Sequence, residues 1–200
     1  MKNAPAFYDI MRQGLLGPSL SPTEVDGCEV ILKACEGLPI SWTAYALATA
    51  YHETASTMQP IKEYGGPTYL TRMYDVSGAR PQLAITNGNT CAGDGVKYCG
   101  RGYVQLTWKN NYAKAGKVCG VDLVADPDRA MEPLHAAQIM RSGMEKGWFT
   151  GKGFADYLPR AAAVLKQFTD ARRIINGSDR AAQIADHAMK FQSALAAGGY

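Results

Sequence analysis

The chain has no long apolar run. Nothing in it approaches the ~20 consecutive apolar residues that a membrane-spanning helix needs. The first stretch, MKNAPAFYDIMRQGLL, carries Asp9 and Arg12 where a secretory signal needs an unbroken apolar core. The expectation is a product made in the cytoplasm without a signal peptide and without stable membrane association. A bias of charge is missing too: 21 Lys+Arg stand against 18 Asp+Glu, a formal net charge of +3. That is far from the basic stripe of a nucleic-acid binder, so no nucleic-acid partner is expected. There is no CxxC pair. The 5 cysteines, Cys28, Cys35, Cys91, Cys99 and Cys119, are odd in number and scattered, which excludes a structural zinc site. Cys91 and Cys99 flank a glycine-rich loop and can bridge in an oxidising compartment; free thiols in a reduced cytosol are the expected state. Neither internal repeats nor a low-complexity linker interrupt the chain, so residues 1–200 read as one domain.

What is present is globular: 46% hydrophobic and 20% charged residues, enough to build one core or two tightly joined lobes. Ser21 caps an apolar helical pattern over 21–35. Ser41 precedes Trp42, Ala46, Leu47 and Ala50 at helical spacing. Residues 60–102 are dense in glycine and read as loops and tight turns. GYVQLTW, residues 102–108, reads as a short strand, and Asn110 or Asn111 as the cap of a helix from Tyr112. Asp126-Pro127 signals a helical start. Helices are expected over about 133–147, over about 159–175 and after Ser178, with the turn Asn176-Gly177 between the last two.

The first chemical signal is Tyr51-His52-Glu53-Thr54. Glu53 lies three, seven and eleven positions after Ala50, Ala46 and Trp42, on one helix face. A carboxylate on an apolar face is disposed to keep a proton, as a general acid must. The other reading of the same position is a helix glutamate paired with a cation or pointing at solvent. A zinc-protease reading of His52-Glu53 fails because its second histidine would stand at 56, which is Ser56. A second carboxylate, Glu63, follows in PIKEYGG before a glycine turn. Glycoside hydrolysis uses such a pair, one as acid and one as base or nucleophile.

The most informative stretch is residues 98–112, YCGRGYVQLTWKNNY. Read as a strand, Val104, Leu106 and Trp108 point to a core. Tyr103, Gln105 and Thr107 point the other way and present an aromatic, an amide and a hydroxyl, suited to sugar hydroxyls or a bound water. An ordinary half-buried strand gives the same alternation.

HET at 52–54, the acidic residue in KEYGG, GRGYVQLTWKNNY at 100–112 and ING at 175–177 together resemble the family 19 glycoside hydrolases, most of all the phage and bacterial endolysin branch, over roughly residues 38–195. The resemblance implies a mainly α, lysozyme-like α+β fold: a helix-rich two-lobed domain with a central cleft and a very short strand element. It implies Glu53 as the general acid, Glu63 as the general base and Thr107 as a hydroxyl that helps hold the attacking water. Gln105, Asn111 and Asn176 match sugar-binding positions, and Tyr103 faces the same way as Gln105 and Thr107. Where plant-type members place an arginine in the last helix, the best match is His187, preceded by Asp186.

The activity so implied is inverting hydrolysis of β-1,4 bonds in peptidoglycan, with no metal or cofactor, by a monomer made without a signal peptide and acting on the cell wall after release. Chitin is the alternative substrate. A catalytically silent glycan-binding module is a rival of another class, and the presence of both Glu53 and Glu63 argues against it. A Cys–His peptidase or amidase is a third, and none of the 5 cysteines has the local context for it. No separate wall-binding module is seen.

Overall fold

A computed structural model describes all 200 residues, Met1–Tyr200. Ten α-helices follow in chain order: α1 Ala4–Gly14, α2 Pro22–Ala34, α3 Ile40–Glu53, α4 Pro67–Tyr74, α5 Pro81–Thr86, α6 Asp94–Lys97, α7 Lys109–Cys119, α8 Pro133–Lys146, α9 Leu165–Asp170 and α10 Ala181–Ala197. The only sheet is an antiparallel pair, β1 Ile61–Lys62 with β2 Arg101–Gly102. With 58% of residues helical and four in strands, the helix-rich class expected from the sequence is the one observed. No helix is long and apolar enough to cross a membrane.

The chain divides into two compact units, Met1–Gln59 with Met140–Tyr200, and Pro60–Ile139; the division falls inside α8. The first unit is built on α3. Ser41 through Ala50 are all buried; the alanines at 44, 46, 48 and 50 keep the helix slim on more than one side, and α10 packs along it. Tyr45 stacks on Phe168, and Trp42 on Phe154. Helix α2 starts as the sequence foretells, with Ser21 and Glu24 forming a reciprocal capping box and Pro22 in the first turn.

The expected helix over 159–175 is cut short, and one side chain contributes to this. Gln192 on α10 accepts from the amide of Ala163 at 2.7 Å and donates to its carbonyl at 2.9 Å. Both backbone groups are taken, so Ala163 stays out of the helical ladder and α9 starts at Leu165. After α9 a 3-10 turn, Ala171–Ile174, follows.

In the second unit, the loop-rich reading of 60–102 gives way to three short helices, two of them opened by Pro67 and Pro81. The expected strand 102–108 is mostly a turn. Arg101 and Leu106 exchange both backbone hydrogen bonds, at 3.2 and 2.8 Å. The residues between them reverse direction through positive φ at Gly102 (86°) and Gln105 (53°). The alternation therefore fails: Tyr103, Val104 and Leu106 are all buried. Helix α7 begins at Lys109, three residues before the expected Tyr112. Its first amide is capped by Asn89 Oδ1 at 3.0 Å, not by Asn110 or Asn111. Arg101, buried, anchors the stretch: it donates to Asp128, to the carbonyls of Lys97 and Cys99, and to the Tyr112 hydroxyl. All five thiols are free; Cys99 is buried and Cys91 exposed.

Candidate active site

Glu53 is the last residue of α3. The helix stops there because Thr54 turns its hydroxyl back onto the Ala50 carbonyl (2.7 Å) and also receives the Met58 amide (3.1 Å). Ala55, Ser56 and Met58 then take positive φ, so the chain bends sharply after the carboxylate.

The face of Glu53 is not dry. Arg172, in the 3-10 turn after α9, donates from Nη1 to Glu53 Oε1 at 2.8 Å and from Nε to the Asp179 carbonyl at 3.0 Å. The arginine side chain is 4% exposed and the glutamate 21%. A guanidinium fixed at two points is a rigid donor. It occupies one carboxyl oxygen and leaves Oε2 for chemistry. Arg172 is the residue that sequence reasoning missed. The turn Asn176-Gly177 bears on it: Asn176 N donates to the Arg172 carbonyl at 3.0 Å. The Asn176 side chain accepts from the Gly177 amide (2.9 Å) and is exposed.

His187, expected where plant-type members have an arginine, lies on α10 and is partly exposed. It packs edge-on against Tyr51 with centroids 5.0 Å apart, and its Nδ1 is buried without a hydrogen bond. Burial pushes its imidazole below the usual value, and the neighbouring His52 adds to the shift. His52 is lowered by burial as well, with Glu53 opposing and Arg172 assisting. A cavity of about 740 Å³ in this unit is lined by Leu32, Lys33, Gly37, Arg160 and Tyr200 among others and not by Glu53, so cavity size does not locate the chemistry.

In the second unit, Glu63 directly follows β1. Its two oxygens are gripped separately: Tyr74 OH donates to Oε1 at 2.7 Å and the Gly100 amide to Oε2 at 3.0 Å. Its own amide donates to the Gly100 carbonyl at 2.9 Å. A Cβ at Gly100 would lie 2.6 Å from Gln105 Oε1 and 3.1 Å from Glu63 Oε2, so a larger residue would displace the ends of these two side chains.

Gln105, Thr107 and Asn111 form a connected set. Thr107 Oγ1 donates to the Gln105 carbonyl (2.8 Å), and Asn111 Nδ2 donates to the Thr107 carbonyl (2.8 Å). Gln105 Nε2 donates to the Ile61 carbonyl at 3.1 Å, tying this turn to the residue two before Glu63. The hydroxyl proton of Thr107 is thus committed, and its oxygen is left as an acceptor for a water. Tyr103 is a correction: it is 0% exposed and part of the core, because the turn after Gly102 carries it inward, so it presents no face to a sugar. Tyr64, beside Glu63, is instead 85% exposed.

Residues 42–140 match the glycoside hydrolase family 19 profile, chitinase class I. The matched segment contains Glu53, Glu63 and Thr107 and ends before Arg172. A basic endochitinase of Vitis vinifera is 55% identical over 149 residues, covering 66% of this chain and 45% of its own length. An endochitinase of Arabidopsis thaliana is 29% identical over 140 residues, 70% of this chain and 44% of its own length. The chain thus spans less than half the length of these two relatives. Among solved structures, chitinase C from Streptomyces griseus superposes with a TM-score of 0.61 at 19% identity, over 99% of this chain and 76% of that one, a likeness of fold. By this match and these relatives, residues 42–140 carry the sequence signature of glycoside hydrolase family 19 (chitinase class I).

Proposed function

We propose that this protein hydrolyses β-1,4 bonds between N-acetylglucosamine units of a chitin-type glycan, with inversion at the anomeric carbon. Glu53 gives its proton to the departing glycosidic oxygen as the C1–O bond breaks. Glu63 takes a proton from the attacking water as its oxygen bonds to C1. The balance is one water consumed and two glycan ends released. Arg172 stabilises the Glu53 carboxylate left once the proton has gone. The Thr107 oxygen accepts from the water and turns it. No group beyond these side chains enters a step.

The observation that carries the reading is that the segment matched to family 19 holds two carboxylates, each with its own fixed donors: Arg172 on Glu53, and Tyr74 with the Gly100 amide on Glu63. The relatives named as chitinases weigh toward chitin over the peptidoglycan read from the sequence. Turnover of chitin hexamer beside purified peptidoglycan, with products identified by mass spectrometry, tests it. Cleavage of the hexamer with peptidoglycan intact is expected. Release of disaccharide fragments from peptidoglycan alone would restore the endolysin reading, and turnover of neither would leave only a glycan-binding module.

A further inference from the structure

The hydrolytic chemistry asks of Glu63 only that it be ionised and aimed. The structure surrounds it with more than that. Tyr74, the last residue of α4, spends its single hydroxyl proton on Glu63 Oε1 at 2.7 Å. Its ring stands edge-on to Trp108, centroids 5.2 Å apart and planes at 88°. Its carbonyl accepts from Asn89 Nδ2 at 2.9 Å, and the Oδ1 of the same fully buried Asn89 accepts the first amide of α7, at Lys109 (3.0 Å). Main chain and side chain of Tyr74 are therefore both tied to the start of α7.

Trp108, at that start, holds φ of 79°, a conformation that bulky residues rarely adopt. It is kept there by its own amide donating to the Tyr98 carbonyl (3.0 Å) and by its carbonyl receiving the Asn111 and Tyr112 amides. The strain has a visible product: the indole is placed as a wall behind the Tyr74 ring.

We propose that Tyr74, backed by Trp108 and Asn89, is the positioning residue of the base. It fixes the plane of the Glu63 carboxylate together with the Gly100 amide, so that one lone pair stays directed at the attacking water. The proposal rests on Glu63 acting as the base. The edge-on ring contact and the Asn89 link do not need the hydroxyl, so Tyr74→Phe should keep the fold while releasing Oε1.

The test compares wild type, Tyr74→Phe and Glu63→Gln on chitin hexamer, with thermal unfolding as the control. Tyr74→Phe is expected to unfold near the wild-type temperature and to keep KM within about twofold, while kcat falls roughly 10- to 100-fold, the order a misaligned reacting group costs. A merely structural tyrosine would not lower kcat at constant KM with the unfolding temperature unchanged. A Tyr74→Phe enzyme with wild-type kcat, beside an inactive Glu63→Gln, overturns the positioning role and leaves the base standing. Glu63→Gln with more than about a tenth of wild-type rate overturns the base itself and the positioning role with it.

Discussion

Arg172 Nη1 lies 2.8 Å from Glu53 Oε1, a contact between residues 119 positions apart in the chain. It joins the end of α3 to the 3-10 turn after α9 and leaves the second carboxyl oxygen open. Two substitutions separate its structural from its chemical consequence. Glu53→Gln keeps an oxygen for Arg172, so it should fold normally and lose about 10²–10⁴-fold in hydrolysis. Arg172→Gln removes the cation and strands a partly buried carboxylate, so it should cost roughly 2–4 kcal/mol of stability as well as activity. Chemical denaturation and hexamer turnover read the two effects. A Glu53→Gln protein above about a tenth of wild-type rate would rule out the acid assignment.

Thr107→Val should be the milder of two lesions in the second unit. It removes one acceptor for the water, worth roughly 0.5–1.5 kcal/mol, or about a two- to tenfold loss of rate. Glu63→Gln removes the group that takes the water's proton and should lose at least another factor of ten. Equal rates in the two folded variants would give Thr107 a larger part than orientation.

Tyr64 stands beside Glu63 with 85% of its surface free, among the most exposed of the large apolar side chains. A ring so placed is suited to the apolar face of a sugar. Tyr64→Ala should raise KM about three- to tenfold with kcat nearly unchanged, the size of an aromatic contact. A fall in kcat at constant KM would assign the ring to the transition state instead.

Stability should weaken before the carboxylates titrate. Burial, first among the causes, holds His52 and His187 below the ordinary imidazole value of 6.5. The unfolded chain then binds the extra protons as pH falls through that value, so the contribution is complete above about pH 6.5 and is lost below it. Asp75 and Asp128 are lowered as well. Burial opposes the shift at Asp75, where the Ser77 and Gly95 amides prevail, and at Asp128 the Arg101 hydrogen bond is the leading cause. Their contribution is lost only at still lower pH, so the interval between about pH 7.5 and 5 isolates the histidines. Melting temperature should drop across that interval, and His187→Gln should flatten the slope. A wild-type Tm constant from pH 7.5 to 5 would contradict this.

The first product from a β-linked oligomer should be the α-anomer, because a water activated by Glu63 attacks opposite the departing oxygen. A proton NMR time course resolves the anomers before they equilibrate. Initial β-anomer would mean a covalent intermediate and a nucleophilic role for one of the two carboxylates.

Much of this protein is determined locally. Ser21 with Glu24 and Pro22 starts α2 because the cap satisfies free amides without help from elsewhere. The small apolar face of α3 makes it a core helix wherever it docks. HET, KEYGG and GRGYVQLT are contiguous, so Glu53, Glu63 and Thr107 can be named from the sequence. What the sequence leaves open is decided by partners far along the chain. Gln192 takes both backbone groups of Ala163 and so keeps it out of a helix that local propensity favours; Asn89 caps α7 from 20 residues away. The exchange between Arg101 and Leu106 folds an alternating segment into a turn and sends Tyr103 inward. Arg172 and Arg173 are adjacent and chemically identical in the sequence, yet one is buried against Glu53 while the other pairs with Asp170 in solvent. Only tertiary packing chooses between them, because a cation is drawn into the interior by the carboxylate that awaits it, and no local pattern of residues records where that carboxylate lies.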